Sequence, residues 1–594
     1  MPSSPLQEVT SRDFRGGLNV SDSELNLSSK YARVLSNVLT GIDGSNEVRQ
    51  GTKLFADIGS LSDYSITNLQ YFFSYLIVVN RRGEIFAIDG LGAVSRIWDS
   101  VIAESRRAGL TIWSSAEYVA FKEFNGKLIL MNGVDKPLEI TTSLTVDYLA
   151  DLATGSNINV PIGKVCTAFA NHFFIADGYI LHVSERNAAG TYQGDAGAQF
   201  VNNFDMRAYV TTGDTTIIGL WAFKNFLIVA FREVLVPIQI VEDATATPKL
   251  NINVAADSII DNYGAVSPRV AQDVGDMNLS CDIVGVSSQS LSTFTKILSP
   301  DRPSRFVDPM LQPIINKLSQ ITLFNDVFSV WDRRLSCYTL FLPNNASEYQ
   351  QYVTGFNYRY IDRLGIESWS TLDGWNWHAV ARSSEGNIFY ARNNDTSIFI
   401  QGDAKTNPIN ADFVGEQEMW DDDTTWDDQT GWSPVADVDD SGVPIKWVWE
   451  IPWSDLKHRA LSKTLRHLIF DTEGDQQFKV KVFIDDIYKT RNSSEPWSDG
   501  TLFTDGTGFN PVTELSLTPA LTLDLIAKDA GGYGNAPYGS SPYGGGNNTA
   551  LRTLTYAPTR FTSMKLRLEG EAMGPMKFIA ITLLYLIGTI RRLP

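Results

Sequence analysis

Short apolar runs broken by Gly, Asn, Asp and Pro dominate this chain, and long stretches with helical periodicity are scarce. Such runs, bounded by turn-prone residues, read as strands, so the pattern predicts an all-β protein. Four segments repeat one arrangement: an aromatic, one or two turn-prone positions, then a run of aliphatics and aromatics. They are YFFSYLIVVNRRGEIFAIDG from Tyr71, EFNGKLILMNGVDKPLEIT from Glu123, AFANHFFIADGYILHVSE from Ala168 and AFKNFLIVAFREVLVPIQI from Ala222. Aligned on Phe73, Phe124, Phe169 and Phe223, they recur at spacings of 51, 45 and 54 residues. Each reads as a hairpin, most plainly at Asn125-Gly126, a favoured two-residue turn. A hairpin cannot bury both its faces alone, so the units must stack, and this period with several strands per unit is that of a β-propeller blade.

Weaker echoes start at Cys281, Asp326 and His378 and bring the expectation to an irregular propeller of about six or seven blades. A sandwich of irregular meanders is the alternative arrangement of the same strands. Beyond Gln401 the pattern changes. Eleven acidic residues and no Lys or Arg lie between Asp412 and Asp440, with Trp420, Trp426 and Trp432 spaced six apart. Strand patterning resumes in KWVWEIPW, RHLIFDT, FKVKVFI, ALTLDLIA and SMKLRLEG, interrupted by the Gly-Tyr-Pro-Ser stretch 531–546. The expected organisation is therefore an N-terminal arm and hairpin (1–60), a propeller (61–407) and a β-sandwich-like domain (408–594). The last contains the acidic segment 412–440 and the Gly/Tyr loop, and either stands alone or completes the propeller.

Charge narrows the range of partners. Of 594 residues, Lys+Arg number 49 against 68 Asp+Glu, a formal net charge of -19. Gripping nucleic acid takes cations that neutralise phosphates, so this balance argues against it, while an acidic wall is compatible with DNA sliding past. Cys166, Cys281 and Cys337 show no pairing framework and read as reduced thiols. The N-terminus lacks a signal-peptide pattern, and the apolar run Phe578 to Ile590 is too short to span a bilayer. No membrane-spanning segment is expected, and the protein is expected to be soluble and cytosolic when made.

A search for catalytic chemistry finds little. GxxxxGK and HExxH are absent, and His172 and His182, which a hairpin could bring together, are too few to hold zinc. VGVSSQS (284–290) lacks the second glycine of a nucleophile elbow. A calcium loop begun at Asp421 places Trp426 and Trp432 where Gly and Glu are required, and one begun at Asp437 ends on Val448. SWSTLDGWNWHA (368–379) loosely follows the Asp-box turn of sialidase-like propellers, with Asp373 displaced by one residue. Its Trp369, Trp375 and Trp377 suit either inter-blade packing or a sugar-stacking surface. No catalytic residue, metal or cofactor is expected. Asp421, Asp422, Asp423, Asp427 and Asp428 form a candidate acidic surface, and the three tryptophans among them a candidate aromatic one.

The N-terminal stretch carries the most specific signal. Gly16, Gly17, Leu18 and Asn19, then Leu35 and Asn37, then Arg49, Gly51 and Thr52 occur in order. This series resembles the opening of the nozzle proteins of short-tailed bacteriophages, also called tail tubular protein B or tail accessory factors. LRLEG (566–570) and the terminal Gly588, Arg591 and Arg592 are similar to that family's close, and 531–546 has counterparts there. The resemblance covers the ends of the chain and, in the middle, the architecture alone. It implies a non-enzymatic virion tail subunit, made in the host cytoplasm and assembled into a homohexameric ring below the portal and its adaptor ring. Tail fibres or spikes would be further partners, and phage DNA would pass through the lumen without specific binding. The five aspartates would then line the lumen or the distal tip. The alternative is a tail propeller that binds a receptor or acts on a glycan.

Overall fold

The computed structural model describes residues 6–587 apart from 23–26, 107–112, 114–116, 150–159, 185, 187–202, 211–212, 243–249, 255–257, 292–297, 344–352, 376, 393–394, 403–444, 455, 457–460, 462, 474–476, 486–520, 527–550, 562 and 573–575. The chain divides into two units. One comprises Leu54–Gly355 and Trp375–Ile400, the other Met1–Lys53, Phe356–Gly374 and Gln401–Pro594.

The first unit is a β-propeller, the architecture expected. Blade one is Ile66–Phe72, Tyr75–Asn80, Ile85–Ile88 and Val94–Trp98; blade two is Ala120–Phe124, Lys127–Met131, Leu138–Thr141 and Val146–Tyr148. Blade three is Val165–Phe169, His172–Asp177, Ile180–Val183 and Asn203–Asp205. Blade four runs from Gly219–Phe223 through Phe226–Ala230 and Val234–Glu242 to Leu250–Asn253, with Ile260–Asp261 added. Blade five is Gln272–Asp273, Met277–Cys281, Val286–Leu291 and Leu298–Asp301, and the hairpin Phe328–Asp332 with Cys337–Pro343 begins blade six. Blade seven is Trp377–Arg382, Ile388–Arg392 and Ser397–Gln401, completed by Thr52–Asp57 from the start of the chain. That closure pairs an edge that would otherwise stay open.

Alternation explains why the second strands of blades one to three carry unbroken apolar runs. Successive side chains of a strand point to opposite faces. In blade one Leu76 and Val78 enter a core shared with blade seven, while Ile77 and Val79 enter one shared with blade two. Blade two sends Leu128 and Leu130 back to blade one, and Ile129 and Met131 forward to blade three. Blade three gives Phe173 and Ile175 to one side, Phe174 and Ala176 to the other. Neither face of these runs meets water, and both are apolar.

The repeat is tied by two-residue turns in left-handed backbone. Asn125 and Gly126 have φ of 52° and 71°, Ala170 and Asn171 of 50° and 64°, and Lys224 of 54°. Here the alignment of the repeat shifts by one residue in blade one. Phe73 sits in the turn itself, at φ 56° and 69% exposed, and Phe72, buried, is the counterpart of Phe124, Phe169 and Phe223. The sequence of blade one offers two adjacent phenylalanines, and only burial distinguishes them.

The second unit is a two-sheet sandwich. One sheet runs Leu551–Phe561, Lys463–Glu473, Lys577–Ile587, Asn46–Val48 and Val38–Thr40, with Leu6–Ser11 also paired to Lys577–Ile587. In the other, Ile366–Trp375, Val34–Ser36, Ile445–Ser454, Ser563–Ala572, Gln477–Asp485 and Leu521–Ile526 are successive neighbours. The sheets meet through aromatic rings. Phe478 packs edge-on against Phe470 at 5.7 Å and Phe578 at 5.4 Å, and Phe578 touches Trp447 and Trp449 at 5.3 and 5.5 Å. The boundaries expected at residues 60 and 407 place two stretches differently: 1–53 and 356–374 both belong to the sandwich unit. Strands from such distant stretches cannot be grouped by reading along the chain.

Candidate functional site

Two clusters gather the chain's distinctive residues. In the sandwich unit, the N-terminal motif converges on a buried seam. Asn37, left-handed at φ 56°, donates from Nδ2 to the Asp373 carbonyl at 3.1 Å and the Lys446 carbonyl at 2.7 Å. Its Oδ1 accepts from Arg49 Nε at 2.9 Å and the Asp373 amide at 3.0 Å. Ser36 donates to the Asp373 carboxylate, whose pKa burial raises despite that bond. One asparagine therefore ties three strands to a buried arginine.

The other motif residues serve the same seam. Gly17 is left-handed at φ 64°, and a Cβ there would stand 2.7 Å from Ser368 Cβ and the Trp369 amide. A Cβ on Gly16 would stand 2.6 Å from the Tyr31 ring. Asn19, fully buried, closes its own turn by accepting from the Ser21 and Asp22 amides, each at 3.1 Å. The Gly51 carbonyl accepts from the Gly402 amide at 3.0 Å, and Thr52 is buried. These residues hold backbone together; their chemistry is structural.

The second cluster lies in the propeller, at the leading ends of the innermost strands, where a central channel would open. Asn68 of blade one, Tyr118 and Lys164 just before the inner strands of blades two and three, Arg269 just before blade five and His378 of blade seven converge there on the helix Gln320–Asp326. Phe324 packs edge-on against Tyr118 at 5.0 Å, lies under Lys164 Nζ at 5.7 Å and joins the cores of blades two to four. The Phe324 carbonyl accepts from Ser267 Oγ at 3.1 Å, and Arg269 donates to the Asn325 carbonyl. Arg269 also lies 5.6 Å from the Tyr118 ring and 5.5 Å from that of Phe328.

Burial dominates the electrostatics here. It pushes the Asp326 carboxyl up to about 6, with Arg269 and Arg81 pulling down and Glu117 pushing up. Burial likewise pulls His378 down to about 3, and Arg269 and Arg81 add to the shift. At neutral pH the 3.9 Å contact of His378 Nδ1 with Asp326 therefore joins a neutral imidazole to a carboxylate. The arrangement seats a helix against the leading ends of inner strands from several blades. Sequence reading missed this cluster because its members are single residues on different blades. The signals present were local: Pro309 after Asp308 opens one helix, and Ser319, whose hydroxyl accepts from the Thr322 amide, caps the next.

The remaining candidates are dispersed. His172 Nδ1 pairs with the Ser184 carbonyl at 2.8 Å and His182 Nδ1 with Asn203 Oδ1 at 2.7 Å, so each has its own partner. Ser287 bonds with Ser280 at 3.1 Å inside blade five. Trp369 stacks on Tyr358 at 4.8 Å and Trp377 on Tyr390 at 4.9 Å, both rings buried, so these two serve packing and leave no face for a sugar. Trp420, Trp426, Trp432, Asp421, Asp422, Asp423, Asp427 and Asp428 lie outside the described residues, as does 531–546. Among the described residues no group of His, Cys, Asp and Glu could hold a metal, and no helix is long and apolar enough to cross a membrane.

No protein-family model matches the chain, and no curated protein matches it. Among solved structures it is similar to PorZ, a surface component of the type-IX secretion system of Porphyromonas gingivalis. The identity is 11% over 57% of this chain and 37% of that one, with a TM-score of 0.34. This chain thus spans little more than a third of PorZ. The WD40 β-propeller domain of Doa1 is similar at 11% identity over 60% of this chain and 98% of that one, with a TM-score of 0.34. Streptogramin B lyase is similar at 9% identity over 60% and 98%, with a TM-score of 0.36. At these scores the likenesses add no argument to the propeller read directly from the strand order.

Proposed function

We propose that this chain is a structural subunit of a short-tailed bacteriophage tail, forming with its copies the nozzle ring below the portal and adaptor. The observation that carries the reading is the N-terminal motif. Its residues resemble those of nozzle proteins, and Gly16, Gly17, Asn19, Asn37, Arg49, Gly51 and Thr52 each act on backbone conformation or packing. A motif whose members all hold strands together suits an assembly part better than a catalyst. The acidic balance of -19 suits a conduit that DNA slides through, since a wall without net positive charge offers phosphates no binding sites. In this reading the protein is not an enzyme, is homohexameric in the virion, and contacts the adaptor ring and the fibres or spikes.

Negative-stain microscopy of the protein with the portal–adaptor complex of its phage tests this. A six-fold ring extending the portal axis is the expected outcome. A monomer or trimer that ignores the complex would overturn it and turn attention to receptor or glycan binding.

A further inference from the structure

We infer that the helix Gln320–Asp326 is a stopper for the propeller's axial channel, able to lift from its seat while the blades stay folded. Three features point to this. The helix belongs to no blade: it lies in the connection from blade five to blade six, and its last residues reach the inner-strand leading ends of blades two, three, five and seven. Its hold is concentrated at one end. Leu323 is buried and the Phe324 ring packs on the inter-blade cores, whereas Ile321, nearer the start of the helix, is 74% exposed. And part of the seat is polar. Ser267, Arg269 and His378 face the helix terminus, so water can take over those partners when the helix lifts. Lifting would exchange the apolar contacts of Leu323 and Phe324 and a few polar ones, leaving every blade's ladder intact.

The chain carries its own reporter. Cys166 is buried in the cluster of blades two and three against which Phe324 packs, and burial pushes its thiol up to about 12. Cys281 and Cys337 are buried inside blades five and six, away from that cluster. Iodoacetamide labelling of the native protein, read by mass spectrometry at each cysteine, tests the inference without any partner. Cys166 is expected to label faster than Cys281 and Cys337, and Phe324→Ala to speed Cys166 alone, on the order of tenfold or more. Ile321→Ser, on the outer face, should change none of the three rates. One common rate for all three thiols in the native protein overturns the inference, because Cys166 is then reached only by global unfolding. So does a Phe324→Ala variant that accelerates all three equally or leaves Cys166 unchanged. Should Phe324→Ala not fold, hydrogen exchange of the unaltered protein decides. Amides of 320–326 must exchange faster than those of Val165–Phe169, and equal protection refutes the stopper.

Discussion

Asn37 makes four side-chain hydrogen bonds from a left-handed backbone that most residues avoid. Truncating it strands buried Arg49 Nε and the Asp373 amide together, and leaving buried donors unpaired costs more than the bonds themselves contribute. Asn37→Ala is expected to destabilise the sandwich unit by about 3 kcal/mol, measured by urea denaturation, and a cost below about 0.5 kcal/mol would rule out the seam as described. Asp326 and His378 offer a test in pH. A carboxyl raised to about 6 holds its proton more tightly in the folded state, so it favours folding at low pH and that contribution is lost as pH rises from about 4 through 6. His378, lowered to about 3, acts oppositely: its contribution is complete above about 6.5 and lost as pH falls through 3. Asp326→Asn should therefore remove a loss of stability of about 2 kcal/mol between pH 4 and pH 7, and His378→Gln should flatten the acid limb. Denaturant midpoints across that range would show both, and parallel curves for variant and parent would contradict the burial assigned to these groups.

At the scale of elements, the strands were the legible part. Apolar runs such as YLIVV and KLILM are long enough, and bounded clearly enough by Asn-Gly and Arg-Arg-Gly, to be read as fully buried strands. Burial on both faces follows from the two cores each strand serves, which is a fact of stacking and could be inferred only from the repeat. Less legible were Leu551–Phe561, where Thr, Arg and Pro interrupt the apolar pattern, and the short helices, which give too few turns for a periodicity. Turn chemistry is uneven along the repeat. Blade two has Asn-Gly, whereas blade three forces Ala170 to φ 50° without glycine's freedom. Ala170→Gly is expected to stabilise the propeller by about 0.5–1 kcal/mol, raising its melting temperature. A lower melting temperature would mean that the methyl group packs more favourably than the backbone strain costs.

At the scale of the molecule, sequence order and spatial grouping part company. The seam was visible as a motif, yet nothing local says that residues 34–36 sit between 366–375 and 445–454. Likewise Arg269 and His378 come from separate repeats and Asp326 from a connection, and they meet because a propeller points the leading ends of its inner strands at one axis. Resemblance identified residues whose role is architectural, while the axial cluster carried no motif.

The strand pairings also set a timetable. Leu6–Ser11 finds its neighbour in Ile581–Leu586, and Thr52–Asp57 waits for Ser397–Gln401. During synthesis at about 5–20 residues per second, the opening arm must remain unpaired for roughly half a minute to two minutes before its partner emerges from the ribosome. Both ring closure and sandwich completion are thus late events, and the nascent chain carries an unpaired strand edge, open to wrong pairing, until the partner strand is made.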